Sequence, residues 1–211
     1  MDKNLLDECR LRVQRLLADG RRVILGLAGC PGAGKSTLAA ALQREFAGVI
    51  GVKSQVVPMD GFHLANSELQ RLGFQARKGA LHTFDGAGYV ALLRRLRAAD
   101  EAVVYAPEYR REIEEGVAGA IAVFAETRLV ITEGNYLLVD EGPWAAVRPL
   151  LDEAWFVDVD DTLRNERLVG RHMQFGRSRE AALAWIAGND GLNAEVILRT
   201  QRRADLVVRM D

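Results

Sequence analysis

Residues Gly29-Cys30-Pro31-Gly32-Ala33-Gly34-Lys35-Ser36 satisfy the spacing G-x-x-x-x-G-K-[ST] in full. Glycines at these positions let backbone N–H groups turn inward around phosphate oxygens. The lysine is then placed to reach β- and γ-phosphates, and the hydroxyl after it suits Mg²⁺. Thr37 adds a contact to the α-phosphate, so Gly29 to Thr37 is expected to bind a nucleoside triphosphate, with Lys35 also serving catalysis. Cys30 reads as a small filler of the loop rather than a reactive thiol. A second candidate stands in Val56-Val57-Pro58-Met59-Asp60-Gly61-Phe62-His63. If that segment begins as a strand, Asp60 lies at its carboxyl end, facing the γ-phosphate. A carboxylate there can accept the proton of an attacking hydroxyl and help place Mg²⁺; the same residue could equally cap the turn that follows. Arg164, Arg167 and Arg171 recur at spacings of three and four, which on a helix is one face.

A phosphate loop of this kind needs a strand before it and a helix after it. Val23 to Ala28 is wholly apolar, as a buried parallel strand should be. A helix from about Lys35 to Phe46 would aim its positive end at the phosphates. Upstream, Leu5, Leu6, Cys9, Val13, Leu16 and Leu17 predict an amphipathic packing helix within residues 1–20, ended by Asp19-Gly20. Further strands are expected at Val52–Pro58, Ala102–Tyr105, Gly119–Phe124, Leu129–Thr132, Ala154–Val157 and Leu206–Val208. The second and third of these flank a charged turn. Helices are expected at Asn66–Leu72, Ala87–Ala98, Asp161–Phe175 and Arg179–Thr200. The alternation predicts an α/β fold with a mostly parallel sheet, helices on both faces, and ligands beyond the carboxyl ends of the strands.

The 211 residues suit a single domain. With 28 basic against 29 acidic residues, the formal charge is −1 and lacks the basic excess of a nucleic-acid-binding surface. Only Lys3, Lys35, Lys53 and Lys78 are lysines, which makes each of them worth inspecting in an arginine-rich chain. No apolar run approaches the roughly 18 residues of a membrane span, and the first helix carries charges inside its apolar pattern, unlike a signal peptide. Two cysteines, Cys9 and Cys30, make no disulfide framework. The expectation is a cytoplasmic protein with no nucleic-acid or membrane partner. The guanine-specific N-K-x-D is absent, which speaks against a GTPase switch, and there is no LSGGQ-like signature of a transporter ATPase.

The run strand–GCPGAGKST–helix–strand–MDGFH resembles the P-loop kinases of the uridine kinase, phosphoribulokinase and bacterial pantothenate kinase superfamily. DGFHLANSELQRLGFQARKGALHTFD is similar to the pantothenate kinase pattern. ITEGNYLL and GNDGLNAEVILRTQRRADLVV are similar to a bacterial subgroup called nucleoside/nucleotide kinase-like or fructose transport system kinases. The resemblance runs from about Arg22 to Val208. It implies the P-loop NTPase three-layer α/β/α sandwich, with a helical lid over about residues 161–190. It implies ATP and Mg²⁺, and transfer of the γ-phosphoryl group to a hydroxyl of a sugar, a pantothenate-like molecule or a nucleoside.

Residue by residue, the resemblance makes Asp60 the general base, Ser36 a metal ligand and Glu133 the acid that holds a metal-bound water, although Glu133 could instead be a turn carboxylate. Arg171, then Arg167, become lid arginines that neutralise the transferring group, although a face shared with Arg164 could equally be a solvated one. His63, Arg77, Lys78, Tyr109, Arg111, Asn135, Asn189 and Asn193 fall with Asp60 on the acceptor side, and Thr200 to Asp205 falls near the adenine. His63, Asn189 and Asn193 could instead be structural. The chain departs from the subgroup at Leu81-His82, where a proline and an acid are usual, and at Tyr109-Arg110-Arg111, where an aromatic-Asp-Arg triplet is usual. The lost acid and added positive charge predict a more anionic acceptor. A homodimer is compatible with the resemblance. The rival reading is an ATPase that regulates a partner such as a transport component, in which Asp60 would orient water.

Overall fold

β1 (Val23–Ala28) has no polar side chain, and all six of its residues are buried. A strand of this kind must be covered on both faces, which places it at the centre of a sheet. A computed structural model describes residues 2–210. The remaining strands are β2 (Lys53–Pro58), β3 (Val103–Arg110), β4 (Glu115–Phe124), β5 (Thr127–Gly134), β6 (Glu153–Asp158) and β7 (Leu206–Arg209). Five of the seven strands form a parallel sheet of order β2-β5-β1-β6-β7, and β3 pairs with β4 as a separate antiparallel hairpin. The helices are α1 (Lys3–Leu16), α2 (Lys35–Ala47), α3 (Asn66–Leu72), α4 (Gly86–Ala98), α5 (Asp161–Gln174), α6 (Arg179–Trp185) and α7 (Gly191–Leu198). Val23, Leu25 and Leu27 pack with α1 and α2 into one core, whereas Ile24 and Ala28 join α4, the hairpin and α7 in another. The architecture is therefore the three-layer α/β/α sandwich. Leu168, Val169 and Ile186 form a third, small cluster that belongs to α5 and the turn following α6. Among the described residues no helix is long and apolar enough to cross a membrane.

Two elements differ from expectation. The hairpin strands run on into the charged segment, because the ladder continues through Tyr109↔Gly116 and the opposite-charge pair Arg110↔Glu115. The expected single helix over Arg179–Thr200 is interrupted by a π-turn at Ile186–Asp190, and α7 ends at Leu198. Gly188 and Gly191 weaken helical propensity there, and the extra residue turns Asn189 and Asp190 inward, both buried.

Register brings the chemistry to one edge. Leu27 pairs with Glu133, and Glu133 with Pro58, so the carboxyl ends of β1, β5 and β2 lie in one row. The phosphate loop, Glu133 and Asp60 all issue from that row. Asp60 sits in a single 3₁₀ turn, Met59–Phe62, pressed against the hairpin. A Cβ added at Gly61 would lie 2.3 Å from the Pro107 carbonyl oxygen, and one at Gly116 would lie 2.5 Å from the Gly61 oxygen. Both neighbours are backbone and cannot swing aside. Gly61→Ala is therefore expected to cost about 1–3 kcal/mol of overpacking and to displace Asp60. Thermal unfolding and turnover of the variant check this together; a variant unchanged in both would show that the hairpin does not hold the turn.

Candidate active site

The loop between β1 and α2 folds as it does because Gly29 can take φ 147° and leave no Cβ, which would otherwise stand 2.4 Å from the Val157 carbonyl. Pro31, Gly32, Gly34, Lys35, Ser36 and Thr37 line a cleft of about 780 Å³, while Gly29, Cys30 and Ala33 lie beneath it. Cys30 and Ala33 are buried in the cores, and the Cys30 Sγ points to the Ala194 carbonyl at 3.9 Å, in keeping with a filler.

Lys35 is buried, and its Nζ donates to the carbonyls of Gly29 (2.9 Å) and Cys30 (3.0 Å) and to Asn135 Oδ1 (2.8 Å). Among the described residues no carboxylate lies within ion-pair distance of it. Burial pushes the ammonium below its ordinary range, and Glu133 and Asp60 oppose that from further off. A buried cation held only by neutral oxygens is a receptor for an anion. Ser36 Oγ donates to Glu133 Oε1 at 2.9 Å. Burial, then Asp60, raises the Glu133 carboxyl above the usual carboxylate range, while Lys35 and the Ser36 bond draw it back. A hydroxyl and a buried carboxylate at the rim of a phosphate loop form an all-oxygen donor set, which fits a hard divalent cation such as Mg²⁺.

Beyond this end of the cleft stands Asp60. Arg111 approaches its carboxylate at 3.8 Å. His63 donates through Nδ1 to the Asp60 carbonyl at 2.7 Å, and its ring lies between Phe84 (4.0 Å) and Tyr109 (4.4 Å). Burial lowers the imidazole below its ordinary range, so the ring is favoured neutral. Lys78 donates to Asn66 Oδ1 and to the Glu114 carbonyl, with its ammonium 5.5 Å from the Tyr109 ring. His63, Lys78, Tyr109 and Arg111 all line the cleft, as do Asn135 and Asn193.

The three arginines of α5 have separate fates. The Arg164 side chain is buried against the loop near Gly32 and pairs with Asp161, its Nη1 without a hydrogen-bond partner among the described residues. The Arg167 guanidinium reaches the neighbourhood of Gly34. Arg171 lines the cleft facing Asp60; burial and Arg111 press it below the ordinary arginine range, and Asp190, Asp60 and Glu133 act the other way.

Several expected acceptor-side residues stand elsewhere. Asn135 is bonded to Lys35 and so belongs to the phosphate end. Arg77 and Asn189 do not line the cleft: Arg77 donates to the Gly188 carbonyl (3.2 Å), and Asn189 Nδ2 to the Lys78 carbonyl (2.9 Å). Asn193 reaches the cleft wall while donating to the Gly79 carbonyl at 3.2 Å. Thr200 to Asp205 also lies off the cleft. Asp205 accepts from the Ala154 N–H and from Arg148, which secures the start of β6.

Other residues that line the cleft are not among those singled out from the sequence: Asn66, Gln75, His172, Arg177, Trp185 and Asp190. The Arg177 guanidinium stacks 4.1 Å from the Trp185 ring. A signal for Asp190 does exist in Asn189-Asp190-Gly191-Leu192-Asn193, where three polar residues interrupt an otherwise helical stretch and are buried together.

Residues 24–210 match the model of the Phosphoribulokinase / Uridine kinase family. A protein of Schizosaccharomyces pombe named as a candidate uridine kinase is 33% identical over 215 residues, covering 99% of this chain and 92% of its own. Escherichia coli YggC is 36% identical over 196 residues, covering 90% of this chain and 78% of its own. The crystal structure of a candidate fructose transport system kinase from Silicibacter superposes with a TM-score of 0.81 at 38% identity, covering 96% of this chain and 98% of that one.

Proposed function

From the premise that this chain belongs to the phosphoribulokinase/uridine kinase family, we propose that it transfers the γ-phosphoryl group of ATP to a hydroxyl of a small-molecule acceptor. The observation that carries this reading is the position of Asp60. Its carboxylate lines the same cleft as the Ser36–Glu133 pair, and the cleft continues past it to His63, Lys78 and Tyr109. A hydrolase would have no use for that further space.

Lys35 and the loop N–H groups hold the β- and γ-phosphates. Ser36 and Glu133 would hold Mg²⁺, which when bound neutralises charge on the phosphate oxygens. Asp60 takes the acceptor proton as the hydroxyl oxygen attacks the γ-phosphorus and the bond from that phosphorus to the β–γ bridging oxygen breaks, releasing ADP. Arg167 and Arg171 offset the negative charge of the group in transit. α5 and α6, with their own small core, close over the cleft and exclude water.

Arg111 supports an anionic acceptor. It makes no hydrogen bond among the described residues, and its contacts are Asp60 at 3.8 Å and the Tyr109 ring at 5.9 Å. A carboxylate or phosphate near the attacked hydroxyl would meet that guanidinium. ATP turnover with Mg²⁺ is to be measured alone and with matched pairs: glycerate against glycerol, sugar phosphates against sugars. Turnover should depend on acceptor and favour the anionic member. Arg111→Gln should erase about 10- to 100-fold of that preference, the worth of a charge-assisted hydrogen bond. Preference for neutral acceptors ends the anionic reading, and hydrolysis indifferent to every acceptor ends the kinase reading.

A further inference from the structure

Arg171 and His172 are neighbours near the carboxyl end of α5, and both line the cleft. His172 Nε2 is 3.0 Å from Asp190 Oδ2, and both side chains are largely buried. Asp190 closes the π-turn, and its charge is felt at Arg171. The two residues before it reach in the opposite direction. The Gly188 carbonyl accepts from Arg77, and Asn189 donates to the Lys78 carbonyl. The same turn is gripped once more at Gly79, whose carbonyl accepts from Asn193 and from the Tyr136 hydroxyl at 2.7 Å. One short segment, Gly188–Asp190, whose last two residues are buried, is thus bonded on one side to the helix that carries the phosphate-facing arginine. On the other side it is bonded to the turn that carries the acceptor-facing lysine.

The π-turn makes this possible. In a regular helix, adjacent residues point about 100° apart. Here the inserted residue lets Asn189 and Asp190 both be buried while serving different partners. Among the described residues, α5 and the π-turn share a small buried cluster of Leu168, Val169 and Ile186 that stands apart from the two cores of the sheet. Elements of that kind shift most easily, and the polar links then carry their displacement.

We propose that Asp190 is a positioning residue that couples the lid to the acceptor turn: through His172 it sets the end of α5 beside Arg171, and through the Asn189–Lys78 bond it passes the lid's docking on nucleotide phosphates to residues 77–79. ATP binding then orders the acceptor side before the acceptor arrives. This rests on the kinase reading, in that Arg171 must face the phosphates. Coupling of this kind is reciprocal, so the acceptor also tightens ATP.

The test is amide hydrogen exchange on the full chain, with and without Mg²⁺ and the non-hydrolysable analogue β,γ-imido ATP. The reporters are the N–H groups of Lys78, Ala80 and Thr83, bonded to the carbonyls of Gln75, Arg77 and Ala80. In the wild type the analogue should slow their exchange at least about fivefold, the lower end of ordinary coupling. Asp190→Ala should bind the analogue but lose most of the slowing. Asn189→Ala should do the same from the other side while leaving the His172–Asp190 bond intact, so a folding defect of the first variant does not decide the matter. Asp190→Asn, which keeps an acceptor oxygen for His172, should restore it. Undiminished slowing in Asp190→Ala and Asn189→Ala, no restoration in Asp190→Asn, or no slowing in a wild type that binds the analogue would overturn the link alone. A wild type that does not bind the analogue would overturn the kinase reading and the link with it.

Discussion

Asp60→Asn is expected to lower acceptor-dependent ATP turnover by about 10²- to 10⁴-fold, the usual worth of a positioned general base, while nucleotide affinity holds. The substitution is nearly isosteric. The turn Met59–Phe62 is held by backbone contacts at Gly61 and by His63 on the Asp60 carbonyl, neither of which involves the carboxylate. What changes is the group's ability to take a proton. The neutral amide also relieves Glu133 of the second-largest influence that raises its carboxyl, so Mg²⁺ and nucleotide binding should not suffer. Turnover and analogue affinity measured on one preparation decide it. If ATP hydrolysis survives in the variant and ignores every acceptor, Asp60 is a turn residue and the regulatory ATPase takes the kinase's place.

Lys35→Met should cost about 10²- to 10³-fold in kcat, comparable to removing one preorganised charge donor from a transition state. The reason lies in its surroundings. The ammonium is desolvated and its three hydrogen-bond partners among the described residues are uncharged, so none of them satisfies it as a phosphate would. Its loss should move the thermal midpoint of the free protein little, because the cost of burying the ammonium is removed together with its bonds to the Gly29 and Cys30 carbonyls and to Asn135, which lines the cleft. The stabilisation that Mg²⁺ and ATP confer on the wild type, about 2.7 kcal/mol at a hundredfold excess over Kd, should fall sharply. Thermal shifts with and without ligand separate the two. A free protein that collapses on substitution would mean that Lys35 serves as a structural strut between the loop and Asn135.

Lys35 and Asp60 are legible in the sequence because their signals are local. Gly29 to Ser36 declares its chemistry within eight residues, and Val23–Ala28 is so uniformly apolar that its strand has the predicted bounds. Asp60 follows a strand and Glu133 stands near the end of one, and in a parallel sheet the carboxyl end of a strand is the ligand edge. Alternation of strands and helices suffices for the layered α/β architecture, since buried parallel strands and their crossovers leave few other packings.

What the chain alone could not decide are the meetings between distant segments. A three- and four-residue spacing puts Arg164, Arg167 and Arg171 on one face, but helical period says nothing about what each meets along the axis. Packing sends one to Asp161, one to the loop near Gly34 and one to the cleft opposite Asp60. Asn135 answers to Lys35, 100 residues away, because β5 lies beside β1. The hairpin's grip on Gly61 depends on the approach of two backbones, which no side-chain pattern records. The π-turn changes the phase of the last helices by one residue. That sends Asn189 out of the cleft wall and brings Asp190 into it. Local composition determined the phosphate chemistry and the layers of this protein. Only the long-range register of its strands, and one inserted residue in a helix, decided which polar side chains share the cleft.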